Sequence, residues 1–160
     1  MKRVVVLGPG GSGKSALAVR LGKITGLPVV EWDKVFWQPG LAATPHDQWV
    51  ERQRALIRQD YWILDGDLGP YDDVEVRLEA ADTIVFLDFS LLRCAWRVLR
   101  RSPERADFWL WLLRYRRRSR PRLMKAIQAH ASHAQLHLLS DPAAVERFIA
   151  VAAGRQADSD

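Results

Sequence analysis

The eight residues Gly8-Pro9-Gly10-Gly11-Ser12-Gly13-Lys14-Ser15 fit the pattern G-x-x-x-x-G-K-[ST] at every fixed position. Four glycines in so short a stretch let the backbone curl its N–H groups toward one point, a concavity that holds an anion. Lys14 then carries a positive charge to the β- and γ-phosphates, and the Ser15 hydroxyl is a hard oxygen ligand of the kind Mg²⁺ takes. Such a loop needs a strand before it and a helix after it, because the helix N-terminus adds its own positive dipole. Val4-Val5-Val6-Leu7 reads as the buried strand, and Leu17, Leu21 and Ile24 follow at helical spacing. The expectation is a site for ATP with Mg²⁺.

Carboxylates at strand ends would complete that chemistry. Asp65 follows the apolar run Tyr61-Trp62-Ile63-Leu64 and would hold the metal opposite Ser15. Asp88 follows Thr83-Ile84-Val85-Phe86-Leu87 and competes for the role. Asp65 is favoured because Gly66 beside it permits close backbone approach, which leaves Asp88 as a helix N-cap. Asp33 sits just after the short strand Val29-Val30-Glu31, between Trp32 and Trp37, where a carboxylate can accept a bond from a substrate hydroxyl or base edge. Trp37 would wall that pocket; Trp49 serves a core of the same region equally well.

Phosphoryl transfer spreads negative charge over equatorial oxygens that guanidinium forks match. Arg97 and Arg101, at i and i+4, share one helix face, and Arg117 and Arg120 flank a break near Pro121. Between these pairs Ser102 to Asp107 has the polar composition of a short flap, which would close over the phosphates and exclude water. Eleven arginines lie between Arg93 and Arg122 against only Glu104 and Asp107, so the rest of the chain is net acidic despite the overall charge of +5. Charge gathered in one segment suits a compact polyphosphate; DNA is a second candidate, with no direct-readout motif to support it. The four histidines show no metal-ligand spacing.

The elements that must position these groups alternate. Strands are expected at 4–7, 29–31, 61–64, 83–87 and 136–139, and helices after the phosphate loop and over 44–60, 91–101, 109–118, 123–132 and 142–151. Thr44 and Pro45 read as the N-cap and first residue of the second helix, and 32–43 as irregular loop. Continuous apolar strands between helices imply an α/β fold with a parallel sheet covered on both faces, whose ligands bind at the strands' carboxyl ends. The 160 residues suit a single domain over 1–153, with an acceptor-binding region at 32–60, a lid-like segment at 102–116 and a disordered tail at 154–160. One cysteine, Cys94, permits no internal disulfide, and the chain enters its first strand without a signal peptide, so a cytoplasmic home is expected. Phe108 to Leu113 is too short an apolar run to cross a bilayer, and no membrane partner is expected.

Taken together, these residues resemble the adenylate-kinase-like branch of small P-loop kinases, and within it the family of the DNA topology modulation protein (FlaR-like). The resemblance is carried by Gly8 to Ser15, Asp33 with Trp37-Gln38-Pro39-Gly40, Trp62 to Gly66 and Arg77-Leu78-Glu79-Ala80-Ala81-Asp82. Phe86-Leu87-Asp88, Arg97 with Arg100-Arg101, Ser119-Arg120-Pro121-Arg122 and Val145 to Phe148 continue it. It implies a three-layer P-loop NTPase fold with five parallel strands in the order 2-3-1-4-5, helices on both faces and a short lid. It also implies an ATP-dependent kinase of nucleoside monophosphates, a monomer or homodimer, in which Arg97 and Arg101 match an R-x-x-x-R arrangement before the lid. Those kinases follow Asp-Gly with phenylalanine, proline and arginine, whereas here Asp67-Leu68-Gly69 follows Gly66. The arginine that grips the acceptor's phosphate is missing there, and Arg77 is the expected substitute. The residues on their own admit two further readings: a nucleotide-binding regulatory protein acting on DNA topology, or a shikimate- or gluconate-type small-molecule kinase gripping a hydroxyl with Asp33.

Overall fold

The computed structural model describes residues 1–68, 73–101 and 106–157. Five parallel strands, β1 (Arg3–Leu7), β2 (Val29–Glu31), β5 (Trp62–Asp65), β6 (Thr83–Leu87) and β7 (Gln135–Leu139), form one sheet in the order β2-β5-β1-β6-β7. Counting these strands alone, this is the expected 2-3-1-4-5. Alternate residues of each strand face opposite sides. Val5, Leu7, Trp62, Leu64, Ile84 and Phe86 pack under α4 (Val74–Ala80) and α7 (Ser119–His130), while Val4, Val6, Ile63, Val85 and Leu87 pack under α1 (Lys14–Thr25) and α8 (Pro142–Ala157). Two apolar layers therefore sandwich the sheet, and β1 lies at its centre with every residue from Val4 to Leu7 fully buried. Asp82 fastens the amino end by accepting the Lys2 and Arg3 N–H groups at 2.8 and 2.9 Å.

The segment read as irregular is built. Trp32–Phe36 is a helical turn, α2, followed by a two-residue hairpin, β3 (Trp37–Gln38) with β4 (Ala42–Ala43), around Pro39–Leu41. Trp32, Phe36 and Trp49 interlock edge-to-face at 4.9–5.0 Å between centroids. Such pairs add roughly 0.5–1.5 kcal/mol beyond area burial. Trp49 thus takes the core role and Trp37 stays exposed. Thr44 does not cap α3 (His46–Ile57): its hydroxyl donates to the Phe36 carbonyl, tying hairpin to α2, and Pro45 occupies the cap position.

Helix α4 was not anticipated. Further on, α5 (Leu91–Arg101) and α6 (Ala106–Tyr115) precede α7, whose first turn accommodates Pro121 because the N–H it lacks would have no partner there. On α6, Leu112 and Tyr115 are buried and Leu110 and Leu113 exposed, so the apolar run is part core, part surface. The terminal helix continues through Gly154 to Ala157, into the stretch expected to be without structure. No helix among the described residues is long and apolar enough to cross a membrane.

Candidate functional site

The phosphate loop joins β1 to α1 at the carboxyl end of the sheet. Gly11 and Gly13 hold φ at +75° and +95°, and Gly13 stands at the N-cap of α1. A Cβ on Gly11 would lie 2.6 Å from Val98 Cγ2 and 2.7 Å from the Cys94 carbonyl oxygen. The loop is therefore clamped against α5, and Cys94, fully buried, serves as a small packing residue there. Gly11→Ala is expected to cost about 1–3 kcal/mol through overpacking and left-handed strain; urea denaturation checks this.

Four of the candidate side chains meet at the loop. Lys14 Nζ donates to the Pro9 carbonyl at 3.3 Å, a long bond that a phosphate oxygen can replace. Arg97 reaches across from α5 and donates to the Ser12 carbonyl at 3.0 Å, so its guanidinium lies over Gly13. The Ser15 hydroxyl lies close enough to the carboxyl of Asp65 to favour its charged form, and Asp65 is only 3% exposed, with an Oδ1 that has no partner among the described residues. A hydroxyl beside a buried carboxylate oxygen with spare acceptor capacity is a donor set that fits Mg²⁺. Burial, the leading cause, raises the Asp65 pKa, while the Ser15 hydroxyl and the Lys14 charge oppose it.

Asp33, in the first turn of α2, brings a second carboxyl to the same end of the sheet. Asp33 is exposed to solvent, and its carboxyl borders an open recess beside Gly66, where its neighbours partly desolvate it. Desolvation there raises its pKa, Lys14 pulls it down, and the neighbouring charges of Asp65 and Asp67 push it up again. Gly66, at φ +132°, allows this approach: a Cβ there would lie 3.0 Å from Trp32 Cβ and 3.8 Å from Asp33 Oδ2. The Gly66 peptide is pinned on both sides, its N–H to the Val6 carbonyl at 3.2 Å and its carbonyl to Arg77 Nη2 at 2.8 Å. Arg77, with no exposed surface, also stacks 4.9 Å from the Trp32 ring. Its guanidinium holds the floor of the recess, which differs from the expected grip on an acceptor's phosphate.

Asp88 does not cap α5. Arg120 Nε and Nη2 donate to its two carboxylate oxygens at 2.9 and 2.7 Å, with Arg116 at 3.9 Å. The cap is Ser90, whose Oγ accepts the Arg93 N–H at 3.4 Å. Arg120 is thus committed to a bidentate pair, and Arg117 is exposed on the turn before α7. Residues 102–105 of the expected flap, and the side chain of Arg101, lie outside the described residues. Several arginines of the basic segment are engaged within the fold: Arg93 over Phe89, Arg97 on the phosphate loop, Arg100 over Trp96 and Arg120 on Asp88.

Two recesses bear on ligands. One of about 130 Å³ opens beside Gly13, between α1 and the start of α8, with Arg97, Phe89 and Pro142 among its walls. Another of about 500 Å³ lies between α4 and α7, lined by Glu75, Arg118, Arg122 and His130, and includes no residue of the phosphate loop. Of the two, the first touches the phosphate loop, at Ser12 and Gly13.

No family model and no curated protein matches the chain. Solved structures do. A shikimate kinase from Acinetobacter baumannii in complex with shikimate aligns over 100% of this chain and 95% of its own, at a TM-score of 0.66 and 12% identity. This is the P-loop kinase fold. A gluconokinase from Sinorhizobium meliloti 1021 aligns over 99% of this chain and 94% of its own, with TM-score 0.58 and 20% identity. A sugar kinase from Janibacter sp. HTCC2649, in unliganded form, covers 94% and 93%, with TM-score 0.55 and 21% identity. At such identities the likeness is one of fold.

Within the P-loop kinase fold, the structure brings Lys14, Ser15, Arg97, Asp65, Gly66 and Asp33 to the carboxyl end of the sheet. Sequence reading missed Asp67, which adds charge to the recess, and Arg20 and Glu146 at the smaller cavity. It also missed Gln53, fully buried one turn after Trp49, with neither amide atom partnered among the described residues. A glutamine amid charged helix residues gives no local signal of burial.

Proposed function

We propose that this chain transfers the γ-phosphoryl group of ATP to a hydroxyl of a small acceptor held at Asp33. The observation that carries this is the Asp33 carboxyl, partly desolvated and set beside Gly66 near the charges of Lys14 and Asp65 at the carboxyl end of the sheet. The loop amides and Lys14 hold the donor phosphates, and Arg97 neutralises charge that grows on the transferring group. Ser15 and Asp65 would hold Mg²⁺, which when bound offsets charge on the phosphate oxygens. Asp33 accepts the acceptor's proton as the new oxygen–phosphorus bond forms and the bond to the ADP oxygen breaks. Arg77, by fixing Gly66 and Trp32, is a positioning residue for Asp33. Arg101, Arg117 and Arg120 are assigned to closure over the phosphates; for Arg120 this requires release from Asp88. Trp37 is assigned to the wall of the acceptor recess.

A nucleoside monophosphate is the second reading, supported by the exposed run Arg116 to Arg118 near the carboxyl end of β6. Three carboxylates in the recess and an Arg77 turned inward argue for an uncharged hydroxyl instead. ADP release measured across shikimate, gluconate, neutral polyols and the nucleoside monophosphates tests both. Turnover above background is expected with an alcohol; equal slow hydrolysis with every compound would sink the kinase reading.

A further inference from the structure

A recess beside Gly13, lined by Ser12 and Gly13 of the phosphate loop, lies where the base of a bound nucleotide can go. At about 130 Å³ it is smaller than the roughly 300–1,000 Å³ of whole small-molecule sites, and suits one planar part of a ligand. Its walls are mostly apolar or backbone: Ala16, Leu17, Leu87, Phe89, Pro142 and Val145. Apart from Ser12, its polar side chains are Arg97, Arg20 and Glu146, and Arg97 is already spent on the Ser12 carbonyl. Arg20 and Glu146 remain to meet a base edge.

These two residues, 126 apart in sequence, form a bidentate pair. Arg20 Nη1 and Nη2 donate to Glu146 Oε1 and Oε2 at 2.6 and 2.7 Å, joining α1 to α8 across the recess. Their side chains are 44% and 62% exposed, and a pair so exposed contributes little to stability. Its chemistry is more specific. The guanidinium fixes the plane of the carboxylate and holds its pKa below the ordinary range, so Glu146 is a pure acceptor. A carboxylate has about four lone-pair sites, so two remain after the arginine is bound. Those sites attract an amino group and repel a carbonyl oxygen.

We infer that the Arg20–Glu146 pair reads the edge of the nucleotide base and selects one bearing an exocyclic amine, adenine, over one with oxygen at the same position. The inference rests on the phosphate-loop reading above. Calorimetry of the full chain with Mg-ATP and Mg-inosine triphosphate tests it, since the two bases differ in the amine and the ring protonation that goes with it. The wild type is expected to prefer ATP by about tenfold or more, as for a hydrogen bond to a charged acceptor. Glu146→Gln, whose amide both accepts and donates, is expected to bring the two affinities within about threefold while the melting temperature holds. Glu146→Ala should weaken ATP and leave inosine triphosphate unchanged or bound more tightly. A preference equal in wild type and Glu146→Gln, or both affinities falling in step, overturns the inference alone. Wild type that binds neither nucleotide overturns it together with the phosphate-loop reading.

Discussion

Lys14→Ala is expected to lower phosphoryl transfer by a factor on the order of 10³ or more, the scale on which preorganised charge at a transition state acts. The residue has little structural work to lose. Its ammonium makes one long bond to the Pro9 carbonyl at 3.3 Å, and the side chain is half-buried at the loop mouth. Stability should therefore change by less than about 1 kcal/mol, within the range of ordinary surface substitutions. A second effect separates Lys14 from a residue that only binds ATP. Its charge holds down the pKa of both Asp33 and Asp65, against the burial that raises them. Without it both carboxyls move further up, so residual activity should begin at higher pH than in wild type. Single-turnover rates across pH, beside a urea titration, check the pair of outcomes; a large loss of stability would reassign Lys14 to the fold.

Asp33→Asn is expected to lower kcat by about 10²–10⁴, the contribution of a positioned general base, while ATP affinity stays within a few-fold. In wild type the raised pKa of Asp33 places the acid limb of the rate profile above the ordinary carboxylate range. The same shift fixes the sign of a stability effect. A carboxyl whose pKa is higher folded than unfolded favours folding fully below its unfolded value, 3.8, and loses that contribution as pH rises through the folded value. At neutral pH the ionised Asp33 therefore opposes folding, and Asp33→Asn should melt at higher temperature than wild type. The gain should vanish in acid, where both forms are uncharged. Thermal melts at pH 7 and near pH 3 measure it, and an asparagine variant less stable than wild type at pH 7 would contradict the electrostatics assigned to the recess.

The sheet and the phosphate loop were legible because their signals are local. Each central strand is built on an unbroken apolar run; Asp65 closes one such run, and Asp33 comes two residues after the short strand β2. What stayed hidden depends on partners far away in sequence. Helix α4 escaped because its buried face, Val74, Arg77 and Leu78, has an arginine in the middle; the Gly66 carbonyl and the Trp32 ring, both far away in sequence, help to explain that choice. Asp88 reads as a cap from its neighbours, and its true partner, Arg120, is 32 residues on. The hairpin strands β3 and β4 are two residues each, too short for alternation to register.

One edge of the sheet bears on handling the protein. Among the described residues β7 pairs with β6 alone, so one row of its backbone N–H and C=O groups faces no other described strand, and Leu136 and Leu138 stand 38% and 49% exposed beside it. No lysine, proline or bulge blunts this margin. Concentrated stocks will shed material by strand-to-strand zipping there, and a fusion tag placed against that margin would act as a bumper as well as a handle.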